Sequence, residues 1–285
     1  MSAEDYCRNK AAPQGSSFYY STLFQPEQIR RCLFALHTFA TEIENIIEEC
    51  ADPGVARLKL AWWHDEIQRT CAGNARHPAG KELAVIIASH PITEKQLHDY
   101  VEHYEQWVNV TQPDTYQDLT EFLQQGPGQF WKHSAEICTY HAPGTPELVG
   151  EIGCLIAYFQ ILQNNRIHVL QNRLLWPREE MISVGAQLQD LNNSKNKNAR
   201  NFFALQIRRL IEQLEYCYTQ FPDSDRLLQL HGLIMSRIIM HTCKEIAGDD
   251  FKLQDHKTSL TPLRKLWIAW QTKRQCKSKI LSHRA

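Results

Sequence analysis

Apolar residues recur at steps of three and four along most of the chain, the spacing that lays one greasy stripe on a helix. The clearest stretch is residues 28–50, where Leu33, Leu36, Phe39, Ala40, Ile43, Ile46 and Ile47 make one broad face of a core helix. Pro26 opens that helix, and Asp52-Pro53-Gly54 ends it and starts another, whose Leu58, Leu60, Trp62, Trp63 and Ile67 keep the period up to Ala72-Gly73-Asn74. Ahead of it a short helix over residues 3–11 breaks at Ala12-Pro13-Gln14-Gly15, and Ser16 or Ser17 can cap a further turn through Tyr20. Behind it the pattern predicts helices over 79–89, 94–110 and 116–125, an interruption at Gly126-Pro127-Gly128, and a helix through Phe130 to Cys138. A long apolar helix over 146–170 follows, then a polar, mobile loop over 187–201, helices over 202–221 and 223–247, and a last one after Pro262. There is no strand hairpin and no internal repeat. The expectation is an all-α fold, one domain of ten or more helices around a central cavity.

Composition fits a large buried core, with 285 residues of which 43% are hydrophobic, and with seven Trp, ten Tyr and eleven Phe able to line an apolar cavity. Nine cysteines, an odd number with no CxxC pair, suggest neither a disulfide framework nor a zinc ribbon, so a reducing cytoplasm is expected. Met1 to Lys10 has acids where a secretory signal has bases. Net charge is −1, but eight of the 31 bases and none of the 32 acids follow Asp255, which leaves the body about nine charges negative. Residues 1–272 read as the helical domain and 273–285 as a basic tail. Lys273, Arg274, Lys277, Lys279 and Arg284, with Ile280 and Leu281 as apolar company, are expected to bring that tail to the anionic inner face of a membrane. Leu263, Leu266, Trp267 and Trp270 form a stripe that either packs on the domain or joins that contact. No nucleic-acid partner is expected.

Candidate chemistry sits on two polar stripes. His37, Thr41, Glu44 and Glu48 stand at steps of four, three and four beside the greasy face of the 28–50 helix, so two carboxylates share a rim where they could hold a divalent cation. The bland alternative is a solvated acidic edge. In the long helix Gln160, Gln163, Asn164 and His168 break an otherwise apolar run, with Asn164 and His168 again four apart. Such groups either face a polar cavity or satisfy each other across the core.

The stretches SSFYYSTLF at Ser16 to Phe24, LKLAWWHDEI, AGNARHP, LLWP at Leu174 to Pro177, GLIM at Gly232 to Met235 and TSLTPLRKLWIAW at Thr258 to Trp270 resemble the squalene and phytoene synthase family. The resemblance runs from about Tyr6 to Thr272 and is strongest toward the bacterial presqualene diphosphate synthases of hopanoid and squalene formation. It implies an isoprenoid synthase fold, prenyl diphosphate substrates joined head to head, and Mg2+ held by two aspartate-rich motifs. Carried over residue by residue, the first motif falls on Glu44, Asn45 and Glu48, with Thr41 in place of an arginine. The second falls on Gln160, Gln163, Asn164 and His168, with no carboxylate left, and a mid-chain aspartate falls on Trp107. A family tyrosine falls on Phe122, and the valine-alanine-glycine turn after it on Gly126-Pro127-Gly128. The surviving positions are Ser17, Phe18, Tyr19, Tyr20 and Arg173. Metal binding is therefore assigned to Glu44 and Glu48, and substrate binding to Ser17, Tyr20, Arg173, Asn164 and His168.

Ionising a prenyl diphosphate needs several cations to neutralise the leaving group, and two glutamates with an asparagine and a histidine supply too little charge. Three readings follow. The chain is a pseudoenzyme that binds a prenyl lipid or a partner protein, for which the resemblance offers a mitochondrial complex I assembly factor as precedent. It is a surviving Mg2+-dependent transferase, for instance as half of a heteromeric synthase. Or His37, Glu44, Glu48 and His168 form a transition-metal site.

Overall fold

The computed structural model describes residues 1–282 apart from Ala51, Asn172 and Asp255, with side chains as far as Lys279. Among the described residues every regular element is helical. The helices are α1 (Ala3–Ala11), α2 (Ser17–Thr22), α3 (Glu27–Glu49), α4 (Pro53–Cys71), α5 (Pro78–Ser89), α6 (Glu94–Trp107) and α7 (Tyr116–Leu123). They continue as α8 (Gln129–Cys138), α9 (Thr145–Gln163), α10 (Asn165–Leu170), α11 (Arg178–Ser183), α12 (Lys197–Gln220), α13 (Leu230–Gly248) and α14 (Pro262–Ser282). Local chemistry sets many of the starts: the side chains of Ser2, Ser16, Asp52, Thr93 and Thr115 each accept a backbone N–H of the first turn. Helix α3 is the central member. Its stripe from Leu33 to Ile47 is buried, and α1, α4, α5, α6 and α8 pack around it.

Four departures from the sequence pattern have physical causes. Gly126-Pro127-Gly128 does not interrupt the chain, because residues 124–128 form one π-helical turn that joins α7 to α8. Gly126 is required there, since a Cβ would come within 2.0 Å of the His103 ring. The helix expected over 146–170 is broken at Asn164, whose side chain bonds across to another helix and whose backbone leaves helical geometry at φ −97° and ψ 7°. The expected mobile loop over 187–201 is ordered: Leu191 is buried, its carbonyl accepts from Asn165 Nδ2 at 3.0 Å, and Asn196 caps α12. Residues 223–229 are turns rather than helix because buried Asp225 is tied to the α8–α9 connection, accepting from His141 N at 2.9 Å, Ala142 N at 3.0 Å and Thr145 Oγ1 at 2.6 Å. Helix α6 also stops at Trp107, three residues short of the expected end.

Helix α14 continues through the basic segment to Ser282, and Cys276 within it is buried. The expected roles of Ile280, Leu281 and Arg284 lie outside the described side chains.

Candidate functional site

Turning about 100° per residue, α3 points Glu44 and Glu48 to the same side. Facing them, α6 presents Tyr100 and Tyr104, also four apart, and both hydroxyls donate to Glu44 Oε1, at 2.9 and 3.3 Å. The break at Asn164 turns the chain so that Asn164 Nδ2 donates to Glu48 Oε1 at 2.7 Å. His168 on α10 is buried and closes the same cleft, with its Nδ1 lacking a protein partner. Behind them, Arg173 Nη1 donates to the Ile47 carbonyl at 2.5 Å and Gln171 Nε2 to the Glu48 carbonyl at 3.1 Å, which fixes the α10 exit against the end of α3. Glu44, Glu48, Tyr104, Trp107, Gln160 and His168 enclose a cleft of about 40 Å³.

Glu44, Ala157 and Gln160 also border a second cavity of about 140 Å³, whose walls are polar as well as apolar. Phe18, Phe130, Trp131, Ile156 and Met235 line it. His37 lies on this side, its ring 4.3 Å from Phe18 and its Nε2 3.2 Å from Ser134 Oγ. The result is a small vestibule beside a larger chamber, the two sharing Glu44, Ala157 and Gln160.

Burial dominates the electrostatics. It pushes the Glu44 carboxyl up from 4.5 to about 7, helped by Glu48 and opposed by the two tyrosine hydroxyls. Glu48 is also raised by burial, against the pull of Lys257 and Asn164. His168 is lowered to about 4 by burial, with Arg173 and Lys257 adding to it, and His37 is held well below its usual value by burial and by His231. Both imidazoles are thus neutral at pH 7, and Glu44 titrates near it.

Of the residues singled out from sequence, Glu44, Glu48, Asn164, His168 and Arg173 come together here. Tyr20 does not: it packs with Leu230, Ile234, Leu260 and Ile268 in an apolar cluster shared by α2, α13 and α14. Ser17 starts α2, and its neighbour Phe18 is the residue that reaches the chamber. The transition-metal set is also split, since His37 lines the chamber while Glu48 and His168 line the cleft. Among the described residues no group of three or more His, Cys, Asp or Glu is placed to hold a metal ion. Sequence reasoning missed Tyr100 and Tyr104. Their signal was the four-residue step of two hydroxyl-bearing rings within HDYVEHYEQW, beside the Trp107 that the resemblance had already singled out. In the structure Trp107 stacks on Tyr104, with ring centres 5.7 Å apart, and walls the cleft.

Comparison with known proteins places this geometry. The family model described as squalene/phytoene synthase matches residues 11–264. The 15-cis-phytoene synthase of Synechococcus elongatus is 22% identical over 268 residues, covering 88% of this chain and 86% of that protein. The NADH dehydrogenase (ubiquinone) complex I assembly factor 6 of Bos taurus is 19% identical over 198 residues, covering 69% of this chain and 60% of that protein's length. Among solved structures, a dehydrosqualene synthase superposes with a TM-score of 0.85 at 16% identity, covering 97% of each chain. Squalene synthase HpnC from Alicyclobacillus acidocaldarius gives 0.67 at 18% identity, covering 88% of this chain and 95% of that one. These likenesses show the isoprenoid synthase fold. By the match over residues 11–264, the chain belongs to the squalene/phytoene synthase family.

Proposed function

We propose that this chain is a non-catalytic member of its family that binds an isoprenoid lipid, with its polar end in the vestibule. The observation that carries this reading is the second polar stripe. Where a facing set of carboxylates would be needed to complete a diphosphate-metal cluster, the chain has Gln160, Gln163, Asn164 and His168. The Asn164 amide nitrogen, a donor, is turned onto Glu48 and so occupies a lone pair that a cation would need. Glu44 is taken up by two tyrosine hydroxyls and is half protonated near pH 7. Such a donor set does not fit several Mg2+ ions, which want charged oxygens free to coordinate.

The unpartnered His168 Nδ1 favours a ligand with a hydrogen-bonding head rather than a bare hydrocarbon. Similarity to proteins named as complex I assembly factor 6, in Bos taurus and Homo sapiens, favours a role exercised through a partner protein. A ligand of this kind resides in a membrane, so peripheral contact with one belongs to the same reading. Calorimetric titration with farnesol, geranylgeraniol and farnesyl diphosphate, with and without Mg2+, tests it. Saturable binding of at least one prenyl compound that survives chelation of divalent ions is expected. Binding that depends wholly on Mg2+ would contradict it.

A further inference from the structure

Helix α14 has two faces. Lys265, Ile268, Ala269, Thr272 and Cys276, at steps of three, one, three and four, are buried against the rest of the bundle. Directly opposite, Leu263, Leu266, Trp267 and Trp270 are exposed, Leu263 by 80% and Trp267 by 58%. An outward apolar stripe on a helix that already has a buried one is not needed for folding, and water penalises it. Along the same outward side the helix continues into Lys273, Arg274 and Lys277, all exposed. The Arg274 guanidinium lies over the Trp270 ring at 5.6 Å and the Lys273 ammonium over Phe24 at 4.3 Å, so bases and aromatic rings form one surface. Arg264, off this side, is paired with Glu245 at 2.6 Å.

We infer that this outward face of α14 docks the protein on an anionic lipid bilayer. The two tryptophans and two leucines would enter the headgroup boundary, and Lys273, Arg274 and Lys277 would meet lipid phosphates. The pattern is one for lying in an interface: Trp and Leu on the contact line, bases flanking it, and no acid after Asp255. No described helix is long and apolar enough to cross a membrane. A second copy of the chain is disfavoured as the occupant, because the same face on the other copy offers no acid to pair with the three bases. An acidic protein partner would answer the bases but leave the large apolar stripe to be matched, whereas a bilayer answers both. The segment that leads into α14, though not the docked face itself, touches the candidate site. Its Thr258 carbonyl accepts from Gln163 Nε2 at 3.0 Å, and Lys257 beside it acts on both Glu48 and His168.

The test is co-sedimentation with vesicles of phosphatidylcholine, with and without phosphatidylglycerol, at low and high salt. The vesicles contain no isoprenoid, so the result does not depend on whether the chamber binds one. The full chain should bind the anionic vesicles and be released by salt. Replacing Lys273, Arg274 and Lys277 together by Gln should weaken partitioning roughly 100-fold, from about fivefold per base. W267S with W270S should weaken binding to the same vesicles and abolish quenching of the protein's fluorescence by brominated acyl chains. All of these side chains are exposed, and unchanged circular dichroism would show that the variants fold. If the wild type fails to bind, or if either variant binds as tightly as the wild type, the inference is overturned. Concentration-dependent dimerisation lost in W267S/W270S, without vesicle binding, would assign the face to a second copy instead.

Discussion

Glu44 offers a direct measure of how far the candidate site is buried. Its carboxyl ionises near the ordinary 4.5 in the unfolded chain and near 7 in the folded one. Between those values the folded state keeps a proton that the unfolded state has lost, so raising the pH favours unfolding. The contribution is destabilising, small at pH 5 and complete above pH 7. With 1.36 kcal/mol for each pH unit of difference, the two values give up to about 3 kcal/mol, of which about 2.5 kcal/mol develops between pH 5 and pH 8. Glu44→Gln keeps the shape and an acceptor for the Tyr100 and Tyr104 hydroxyls but cannot ionise. Urea unfolding of both proteins across that pH range, followed by circular dichroism, isolates the effect, because every other titrating group is common to the two. The wild type should lose about 2–3 kcal/mol relative to the variant as the pH rises. Parallel stability curves would mean that Glu44 ionises as an ordinary surface carboxylate, and the buried vestibule would be refuted.

Gly126→Ala should destabilise by about 1–3 kcal/mol, read from the urea midpoint, because the new methyl is driven into His103 inside the π turn. Asp225→Ala strips the acceptor from three donors, of which Thr145 Oγ1 is buried, and should lower stability by about 2–3 kcal/mol, with the α8–α9 connection becoming susceptible to protease. Asn164→Asp with His168→Asp and Asn45→Asp should lower the melting temperature in EDTA, since a second carboxylate then stands beside Glu48, and Mg2+ should restore it and raise affinity for a diphosphate analogue. If Mg2+ leaves both quantities unchanged, the cleft has lost more than its ligands.

Legibility followed how local each cause was. Helix starts at Ser16, Asp52, Thr93 and Thr115 were readable because the capping atom lies three residues from the N–H it accepts. The α3 stripe was readable because burial on one face imposes a period. The two stripes that meet in the vestibule were legible as polar steps of four, and their meeting was legible only through the family resemblance. What the residues could not reveal depended on partners distant in sequence. Asn164 breaks its helix toward Glu48, 116 positions away, and Asp225 prevents an early start of α13 by holding residues more than 80 positions earlier. Tyr20 belongs to a conspicuous aromatic motif, yet its environment is set by α13 and α14, which supply the apolar wall it packs on. The outward stripe of α14 was visible as a period, but whether it packed inward could be decided only by the second, buried stripe on the same helix.

The most direct test is of catalysis itself. Purified protein is incubated with farnesyl diphosphate, NADPH and either Mg2+ or Mn2+, in parallel with geranylgeranyl diphosphate, and the extracted lipids are analysed by mass spectrometry. With Gln160, Gln163, Asn164 and His168 in place of a second carboxylate set, no coupled product should form above a heat-denatured control. Ready formation of presqualene diphosphate, squalene or phytoene would contradict the account.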